Sequence, residues 1–335
     1  MSGTPDEMSP ADHESAVPLD APVVAATWET REPTDSWCPP ELATLLPGLA
    51  DHVAQHEREE QVRGYGDWML AGATRRGRAH AHQASFREDS FALHARDDAS
   101  ILVVADGAGS ARWSRVGSEM AVRSVVESLS TAMRARDHDM ESAMPESVHA
   151  ACSLLEDTAN AVGAHGRDFR TTLIIAVLAR QDDAEQLAVC QVGDGCVAVA
   201  RTNGSVDLLI AGEHGGYSGE VSCFLPDPEA VQRARASVSI IDAKDVDVVL
   251  LCTDGIEDPF YPIPRNGSLL VSQLVDGVQE PAPYFTRQVR HGPALGHPEM
   301  LTRLRSWLQF ERRGENDDRT LAVAYRARAV RVAAG

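Results

Sequence analysis

Short apolar runs alternate with turn residues from about residue 68 to the end of the chain, and most of these runs have the length of a β-strand. Ser90–His94 and Ser100–Ala105 are separated by a polar turn at 96–98, a pattern that predicts a β-hairpin. The other predicted strands are Thr171–Leu178, Leu187–Ala200 with an interruption at Gly193–Gly195, Val206–Ile210, Ser237–Ile241, Val246–Cys252 and Thr320–Tyr325.

Segments with a helical period lie in groups between these strands. The predicted helices are Gly117–Met133, Pro145–Ala164, Leu269–Val278 and Met300–Phe310. The strands come mostly in hairpin-like neighbours, and the helices do not alternate with them one by one. The pattern therefore favours an α+β layered domain over a regular βαβ repeat.

The first 60 residues have a different composition from the rest, because they are rich in acidic residues and proline and poor in apolar runs. Such a segment cannot bury enough surface to offset its chain entropy, so residues 1–60 are predicted to be a mostly disordered acidic extension. Within it, a short helix is predicted from about Pro47 to Glu60, since Leu46, Leu49 and Val53 have helical spacing. Residues 61–328 are predicted to form one globular domain, followed by a short tail at 329–335.

Charge and composition exclude several classes of protein. The formal net charge of -19 argues against nucleic acid or an anionic membrane as a partner. No apolar stretch approaches a membrane span, no signal peptide is recognisable, and the six cysteines are scattered without a CxxC pair, so a cytoplasmic location is expected. Lys244 is the only lysine. P-loop NTPases, lysine Schiff-base enzymes and ordinary protein kinases need a placed lysine, so these classes drop out.

Carboxylates recur at the ends of the apolar runs. Two runs lead directly into Asp106 and Asp254, and a third leads through Gly193 into Asp194; each aspartate is followed by a glycine. Acidic pairs also precede two strands, at Glu88–Asp89 and Asp317–Asp318. A single Asp-Gly after a strand is usually only a turn. Five acidic positions at strand ends favour a functional cluster instead.

A buried strand that ends in an aspartate places the carboxylate on a rigid support at the rim of a sheet. Several such carboxylates at one rim would repel each other unless cations lay between them. Oxygen ligands suit Mg²⁺ or Mn²⁺. Two such ions can activate a shared water toward a phosphorus atom, so the pattern indicates phosphoester hydrolysis without a nucleophilic side chain.

These motifs, in this order, resemble the protein phosphatase 2C family and in particular its divergent bacterial branch. The resemblance extends from about Gly77 to Tyr325. The matching segments are Gly77–His80, Glu88–Asp89, Asp106–Ala111 with Ser114 and Gly117, Thr171–Thr172, Val192–Gly195, Gly219–Leu225, Thr253–Ile256 and Asp317–Thr320.

The resemblance implies a four-layer α/β/β/α sandwich of two antiparallel sheets flanked by helices, with two divalent cations, Mn²⁺ or Mg²⁺, in a cleft at one edge. It implies that Glu88 supports the site as a catalytic residue, and that Asp194 belongs to a third, weaker metal site. The implied metal ligands are Asp89, Asp106, Asp254, Asp317 and the backbone carbonyl of Gly107.

One position departs from the family pattern. Better-known members have a phosphate-binding arginine four residues before the acidic pair, and this chain has Ala84 there. His80, His82 and Arg87 are the nearby candidates for holding phosphate, and His80 is also a candidate general acid for the leaving alkoxide. A solvated surface position is the competing interpretation for each of them.

The resemblance implies a metal-dependent protein serine/threonine phosphatase that acts on a phosphoprotein, with a cognate serine/threonine kinase or its targets as partners. Two alternatives remain open. One is a catalytically weak pseudo-phosphatase that binds phosphoproteins, which the missing arginine favours and the intact aspartates oppose. The other is a hydrolase of a small phosphorylated molecule.

Overall fold

A computed structural model of the protein describes residues 29–33, 40–45, 48–49, 55–134, 139–181, 184–210, 223–277, 285–287 and 292–327. Among these residues, no helix has both the length and the apolar character needed to cross a membrane.

Six strands form the first sheet, and every neighbouring pair in it is antiparallel. Their spatial order is β1-β2-β13-β10-β7-β8. Their bounds are Glu57–Arg63 (β1), Trp68–Arg75 (β2), Cys196–Arg201 (β7), Val206–Ile210 (β8), Val246–Cys252 (β10) and Arg319–Arg326 (β13).

Five strands form the second sheet, which is also antiparallel throughout, in the order β3-β4-β5-β6-β9. Their bounds are Ser90–Ala95 (β3), Ala99–Ala105 (β4), Leu173–Gln181 (β5), Ala184–Val192 (β6) and Ser239–Asp242 (β9). A separate small pair joins Phe285–Arg287 (β11) to Glu311–Arg312 (β12).

Eight described α-helices accompany the sheets, with short 3₁₀ segments at Gly166–Phe169 and Asp258–Phe260. The helices are Pro40–Leu45 (α1), Arg78–Gln83 (α2), Ser114–Ala132 (α3), Met140–Ala161 (α4), Ala230–Ser237 (α5), Asp254–Glu257 (α6), Ile263–Val275 (α7) and Met300–Trp307 (α8).

Strand β4 shows how its side chains divide between two cores. Ile101 and Val103 belong to the cluster shared with helices α3 and α4, whereas Leu102 and Val104 belong to the cluster between the two sheets. Both sets are fully buried, because successive side chains of a strand point to opposite faces of the sheet. A strand covered on both faces reads as a continuous apolar run, which is the pattern that the sequence shows here.

A third core cluster lies on the outer face of the first sheet. Leu250 and Val323 of that sheet pack there with Leu304 and Trp307 of α8. The molecule therefore consists of helices, sheet, sheet and helices in that order. The predicted α+β fold, a four-layer sandwich of two antiparallel sheets, is confirmed.

The predicted hairpin at 90–105 and the later strands are present, with shifts of a few residues at their ends. The interruption at Gly193–Gly195 separates two strands that belong to different sheets. The segment before it, β6, lies in the second sheet, and the segment after it, β7, lies in the first. The chain therefore crosses between the sheets at this turn.

The helix predicted from about Pro47 to Glu60 is wrong over its last four residues, which belong to β1. This edge strand is mostly charged, and its backbone pairs with β2 from Glu57↔Arg75 to Arg63↔Met69. Glu57 also forms an ion pair with Arg75. Backbone pairing and ion pairs hold the strand, so it carries no apolar alternation for the sequence to reveal. Most of the predicted disordered extension 1–60 lies outside the described residues.

Candidate metal centre at the end of the two sheets

Asp89 and Asp106 are neighbours because of the β3–β4 hairpin. Ser90, the first residue of β3, pairs with Ala105, the last residue of β4. The residue before Ser90 and the residue after Ala105 therefore leave the second sheet side by side. The Thr172 hydroxyl accepts a 3.0 Å hydrogen bond from the backbone N–H of Asp106, which fixes the end of that strand.

Asp254 and Asp317 come from the first sheet by the same logic. Cys252 at the end of β10 pairs with Leu321 near the start of β13. The Thr253 N–H donates to the Thr320 carbonyl at 3.1 Å, which continues the pairing one residue further. Asp254 follows that pair, and Asp317 precedes it, so both carboxylates stand at one end of the first sheet.

Asp194 lies in the turn that carries the chain from one sheet to the other. Gly193 and Gly195 flank it with φ values of 92° and 89°, a left-handed region that favours glycine. The Gln191 amide donates to the carbonyls of both glycines at 3.0 Å and so braces the turn. The turn brings a fifth aspartate to the same edge.

One hydrogen bond ties the two halves of the cluster together. The Thr253 hydroxyl donates to Asp89 Oδ2 at 2.8 Å, from the first sheet to the second. Asp89 and Thr253 are both almost completely buried.

The electrostatics of the cluster are unfavourable for bare carboxylates. Burial raises the pKa of Asp106 well above its usual value, and repulsion from Asp89, Asp254, Asp317 and Asp194 adds to it. Burial and the neighbouring carboxylates raise the pKa of Asp254 in the same way. The pKa of Asp89 rises to about 7, again chiefly by burial and then by repulsion from Asp318.

The donor set fits divalent cations. Asp89 Oδ1 and Asp254 Oδ1 are buried and have no hydrogen-bond partner within the described part of the chain. A buried carboxylate oxygen that accepts no hydrogen bond is energetically costly unless a cation binds it. Carboxylates are also the ligands that Mg²⁺ and Mn²⁺ prefer. The residues predicted as ligands are therefore brought to one place with the chemistry that a cation needs.

Gly107 follows Asp106 directly and is held in a narrow space. A Cβ added to this residue would lie 2.8 Å from the Glu88 carbonyl oxygen and 2.9 Å from the Ser114 backbone carbon. Its backbone also forms an isolated bridge with Thr171. Glycine is required because the backbone passes this close to the Glu88 strand entry.

His80 and Glu88 lie beside the cluster, joined through Asp318. His80 Nδ1 is 2.9 Å from Asp318 Oδ1, and His80 Nε2 is 4.0 Å from Glu88 Oε2. Burial opposes protonation of His80, but attraction by Asp318 and Glu88 outweighs it and raises the pKa of His80 to about 10. Burial raises the pKa of Glu88 to about 7.

Asp318 fixes the positions of His80 and of the backbone at Gly77 and Glu88. Its carboxylate accepts the backbone N–H of Gly77 at 2.6 Å and that of Glu88 at 2.5 Å. Burial opposes its ionisation, but His80 and these amides hold the pKa of Asp318 below its usual value. The potential ligand atoms of His80, Asp317 and Asp318 lie within 4.8 Å of one another. Since the Asp318 carboxylate is occupied by His80 and by three backbone amides, those of Gly77, Glu88 and Asp89, its geometry fits support of the ligands.

The two other candidates for holding phosphate occupy different environments. His82 is exposed at the end of α2. Arg87 is buried, and its Nε donates to the Gln55 carbonyl at 3.1 Å. The structure therefore does not bring Arg87 to the surface of the cleft. Ala84, the position of the expected arginine, is the left-handed residue that ends α2, with φ 59°.

Sequence reasoning missed the hydroxyl groups that brace the carboxylates. Thr253 bonds to Asp89, and the hydroxyls of Thr74 and Thr320 lie 2.5 Å apart beneath the cluster. Thr253 and Thr320 lie within three residues of predicted aspartates, and this proximity in sequence is the only signal that could have indicated their role. Thr74 has none, because it lies on a strand that pairs with β13 only in the fold.

A family model described as protein phosphatase 2C matches residues 76–309. No curated protein sequence matches the chain.

Among solved structures, the serine/threonine phosphatase Stp1 of Staphylococcus aureus is similar, with a TM-score of 0.53 and 16% identity over 79% of this chain and 98% of that one. A serine/threonine phosphatase of S. agalactiae gives a TM-score of 0.51 and 14% identity over 80% of this chain and 99% of that one. A sex-determining protein of C. elegans gives 0.52 and 17% over 79% and 66%. At these identities the likeness shows the fold.

Proposed function

Since this chain belongs to the protein phosphatase 2C family, we propose that it hydrolyses phosphoserine and phosphothreonine in proteins with the help of two divalent cations, Mn²⁺ or Mg²⁺. The observation that carries the proposal is the convergence of Asp89, Asp106, Asp254 and Asp317 from the ends of two different sheets. Burial and mutual repulsion make that cluster unstable without a positive charge.

Asp89, Asp106, Asp254 and Asp317 would hold the cations together with the Gly107 carbonyl. Asp194, at the crossing between the sheets, would serve a third and weaker site. When bound, such cations supply a Lewis acid that lowers the pKa of water and offsets charge on a phosphoryl group.

The protein's own groups do the positioning. Thr253 orients Asp89 through its hydroxyl, and Asp318 holds His80 and the backbone of Glu88 in place. A serine or threonine alkoxide needs a proton when it leaves. The raised pKa of His80 keeps its imidazole protonated near neutral pH, so His80 is our candidate proton donor.

The physiological setting extends the proposal. A protein that removes phosphate from serine and threonine opposes a kinase, so we place it with a cognate serine/threonine kinase or its targets in the cytoplasm. The substrate is then a phosphoprotein.

Hydrolysis of a phosphothreonine peptide, measured with Mn²⁺ and with EDTA, tests the proposal. Asp106→Asn and Asp254→Asn are expected to abolish turnover, whereas Asp242→Asn, at the exposed end of β9, is the matched control and should leave it unchanged. Metal binding without turnover on peptides or small phosphoesters would favour a phosphoprotein-binding module instead. Turnover confined to small phosphoesters would indicate a metabolite hydrolase.

A further inference from the structure

A cavity of about 380 Å³ lies beside the carboxylate cluster and is lined in part by Gly77 and Asp317. Its lining is rich in basic side chains, although the protein as a whole has a formal net charge of -19. The basic residues of the lining are His56, Arg75, Arg76, Arg78 and Arg319. Four carboxylates, Glu29, Glu57, Glu311 and Asp317, also line the cavity, so what matters is which basic groups have a carboxylate partner.

Most of the carboxylates in the lining are already matched by a cation. The ion pairs are Glu29 with Arg31, Glu57 with Arg75, and Glu311 with Arg78. The remaining carboxylate is Asp317, which the proposed function assigns to a bound cation.

Arg319 has no such carboxylate partner in the part of the chain that the structure describes. Its side chain is buried, with 7% of the residue exposed, and it donates to the backbone carbonyls of Leu308 and Phe310. Its Nε has no hydrogen-bond partner within the described ranges. The guanidinium also stacks on the Phe310 ring at 3.8 Å.

Arg76 is in the same situation. It is 8% exposed and donates to the carbonyls of Arg31 and Ser85, each at 3.1 Å. Within the described residues it forms no ion pair with a carboxylate. Two buried guanidinium groups whose described acceptors are all neutral therefore line one cavity.

A buried guanidinium with no carboxylate at ion-pair distance is incompletely compensated, even though Glu32 and Asp318 attract Arg76 from further away. Arg319 also lies near the like charges of Arg78 and Arg75, which repel it and which Glu315 and Glu311 offset only in part. An anion in the cavity would relieve this repulsion, and a guanidinium fork matches the geometry of a carboxylate or a phosphate.

We propose that this cavity binds an anionic group of the substrate protein, a carboxylate or a second phosphate, located a few residues from the phosphoserine or phosphothreonine. The inference rests on the proposed function, and it adds a preference for substrates with acidic neighbours. Extended chain spans roughly 3.5 Å per residue. A neighbouring acidic residue can therefore reach the cavity across its shared wall at Asp317.

The first test uses the wild-type protein and needs no variant. Three phosphothreonine peptides would differ only in their flanking residues: glutamine, glutamate, or a non-hydrolysable phosphonate analogue of phosphoserine. A fully formed charge-assisted contact is expected to raise kcat/KM roughly tenfold over the glutamine peptide at low salt. If only the peptide with glutamate flanks, or only the peptide with the phosphonate, is hydrolysed faster than the glutamine peptide, that result identifies the preferred anion. Equal rates for all three peptides would overturn the inference.

Variants then locate the effect. Arg76→Gln and Arg319→Gln are expected to remove the preference for acidic flanks while hydrolysis of the glutamine peptide stays near the wild-type rate. Arg235→Gln, at an exposed position on α5, is the matched control and should keep the preference. Because Arg319 donates to several backbone carbonyls, thermal melting is used to check that Arg319→Gln still folds. If Arg319→Gln does not fold, the result for Arg76→Gln alone tests the inference. A preference that survives Arg76→Gln would contradict the assignment of this cavity.

A binding assay separates this inference from the proposed function. Fluorescence anisotropy of a glutamate-rich peptide without phosphothreonine reports the cavity even if no phosphoester is hydrolysed. Binding that weakens in Arg76→Gln would support the cavity site on its own. Absence of binding at low salt, together with active hydrolysis, would overturn the inference and leave the phosphatase assignment intact.

Discussion

Thr253 and Asp89 lie on different sheets, and the 2.8 Å hydrogen bond between the Thr253 hydroxyl and Asp89 Oδ2 joins the two halves of the carboxylate cluster. Both residues are buried, so the bond is shielded from water. The contact fixes one oxygen of Asp89 and leaves Oδ1 for a cation. A side chain that binds no metal thereby sets the position of one that is proposed to do so.

Replacement of this hydroxyl tests that role. Thr253→Val is expected to weaken Mn²⁺ affinity about 10- to 100-fold, because an outer partner that orients a ligand contributes on that scale. Thr253→Ser keeps the hydroxyl and is expected to stay near the wild-type affinity. Isothermal titration calorimetry of Mn²⁺ binding measures both. Equal affinities for the valine and serine variants would show that the bond does not position the ligand.

Metal removal should destabilise the wild-type protein in a pH-dependent way. A carboxyl group whose pKa is raised in the folded state binds a proton that the unfolded chain has already released, so stability falls as pH rises. For Asp89 this window runs from 3.8 to about 7. In EDTA, the melting temperature is therefore expected to fall across that range.

Asp106→Asn should reduce the loss of stability that the metal-free wild type shows as pH rises. We expect the variant to melt a few degrees above the wild type at pH 7 in EDTA, at about 2–4 °C per kcal/mol for a domain of this size. It should also lose the stabilisation that Mn²⁺ gives the wild type. Thermal melting with and without Mn²⁺ measures this, with Asp242→Asn as control. A metal-free variant less stable than the wild type would contradict the predicted repulsion.

The pairing of His80 with Asp318 predicts a measurable pKa. In the metal-free protein, NMR titration of His80 is expected to give a pKa of about 10, because attraction by Asp318 outweighs burial. Asp318→Asn removes the charge that sustains this value, so the pKa of His80 should move back toward 6.5. An unchanged pKa in the variant would show that another group holds the proton on His80.

Gly255 provides a steric test of the site. A Cβ at this position would overlap the Asp318 carbonyl oxygen, so Gly255→Ala must push α6 away from β13. The expected destabilisation is about 1–3 kcal/mol, with weaker Mn²⁺ binding because Asp254 moves with α6. Gly109→Ala is the matched control, since its Cβ would meet only Glu88 Oε2, at 3.8 Å. Urea denaturation compares the two variants, and similar losses in both would refute the packing explanation.

A partly buried network at the far end of the sheets predicts an acid-sensitive contribution to stability. Glu185 accepts hydrogen bonds from Tyr65 at 2.6 Å and Trp68 at 3.0 Å, and it pairs with Arg326. Burial opposes ionisation of Glu185, but these bonds outweigh it and lower the pKa of Glu185 below 4.5. Its stabilisation is therefore present above pH 4.5 and is lost as pH falls through the folded pKa.

Glu185→Gln is expected to lower the free energy of unfolding by about 1.5–3 kcal/mol at pH 7, because it removes a charged hydrogen-bond acceptor from Arg326. The difference from the wild type should shrink below pH 4.5. Urea denaturation at pH 7 and pH 3.5 measures this. A difference that stays constant with pH would mean that the charge of Glu185 contributes nothing.

The sequence by itself determined the layered architecture and the aspartates. Strands buried on both faces appear as continuous apolar runs, and a carboxylate at the end of such a run marks the edge of the sheet. That is why Asp106 and Asp254 stand out from the amino-acid pattern alone as candidate site residues. The order of these motifs along the chain then carried the resemblance to a family.

Only the tertiary structure decided the contacts made across sheets and through backbone pairing. Strand β1 is charged and is stabilised by its ladder with β2, so its residues carry no strand pattern of their own. Gly193–Gly195 looks like a turn within a strand, yet the chain changes sheets there. Arg87 is near the acidic pair in sequence but is buried and donates to the backbone carbonyl of Gln55. Burial and long-range partners set the role of a polar residue, and local spacing along the chain does not contain them.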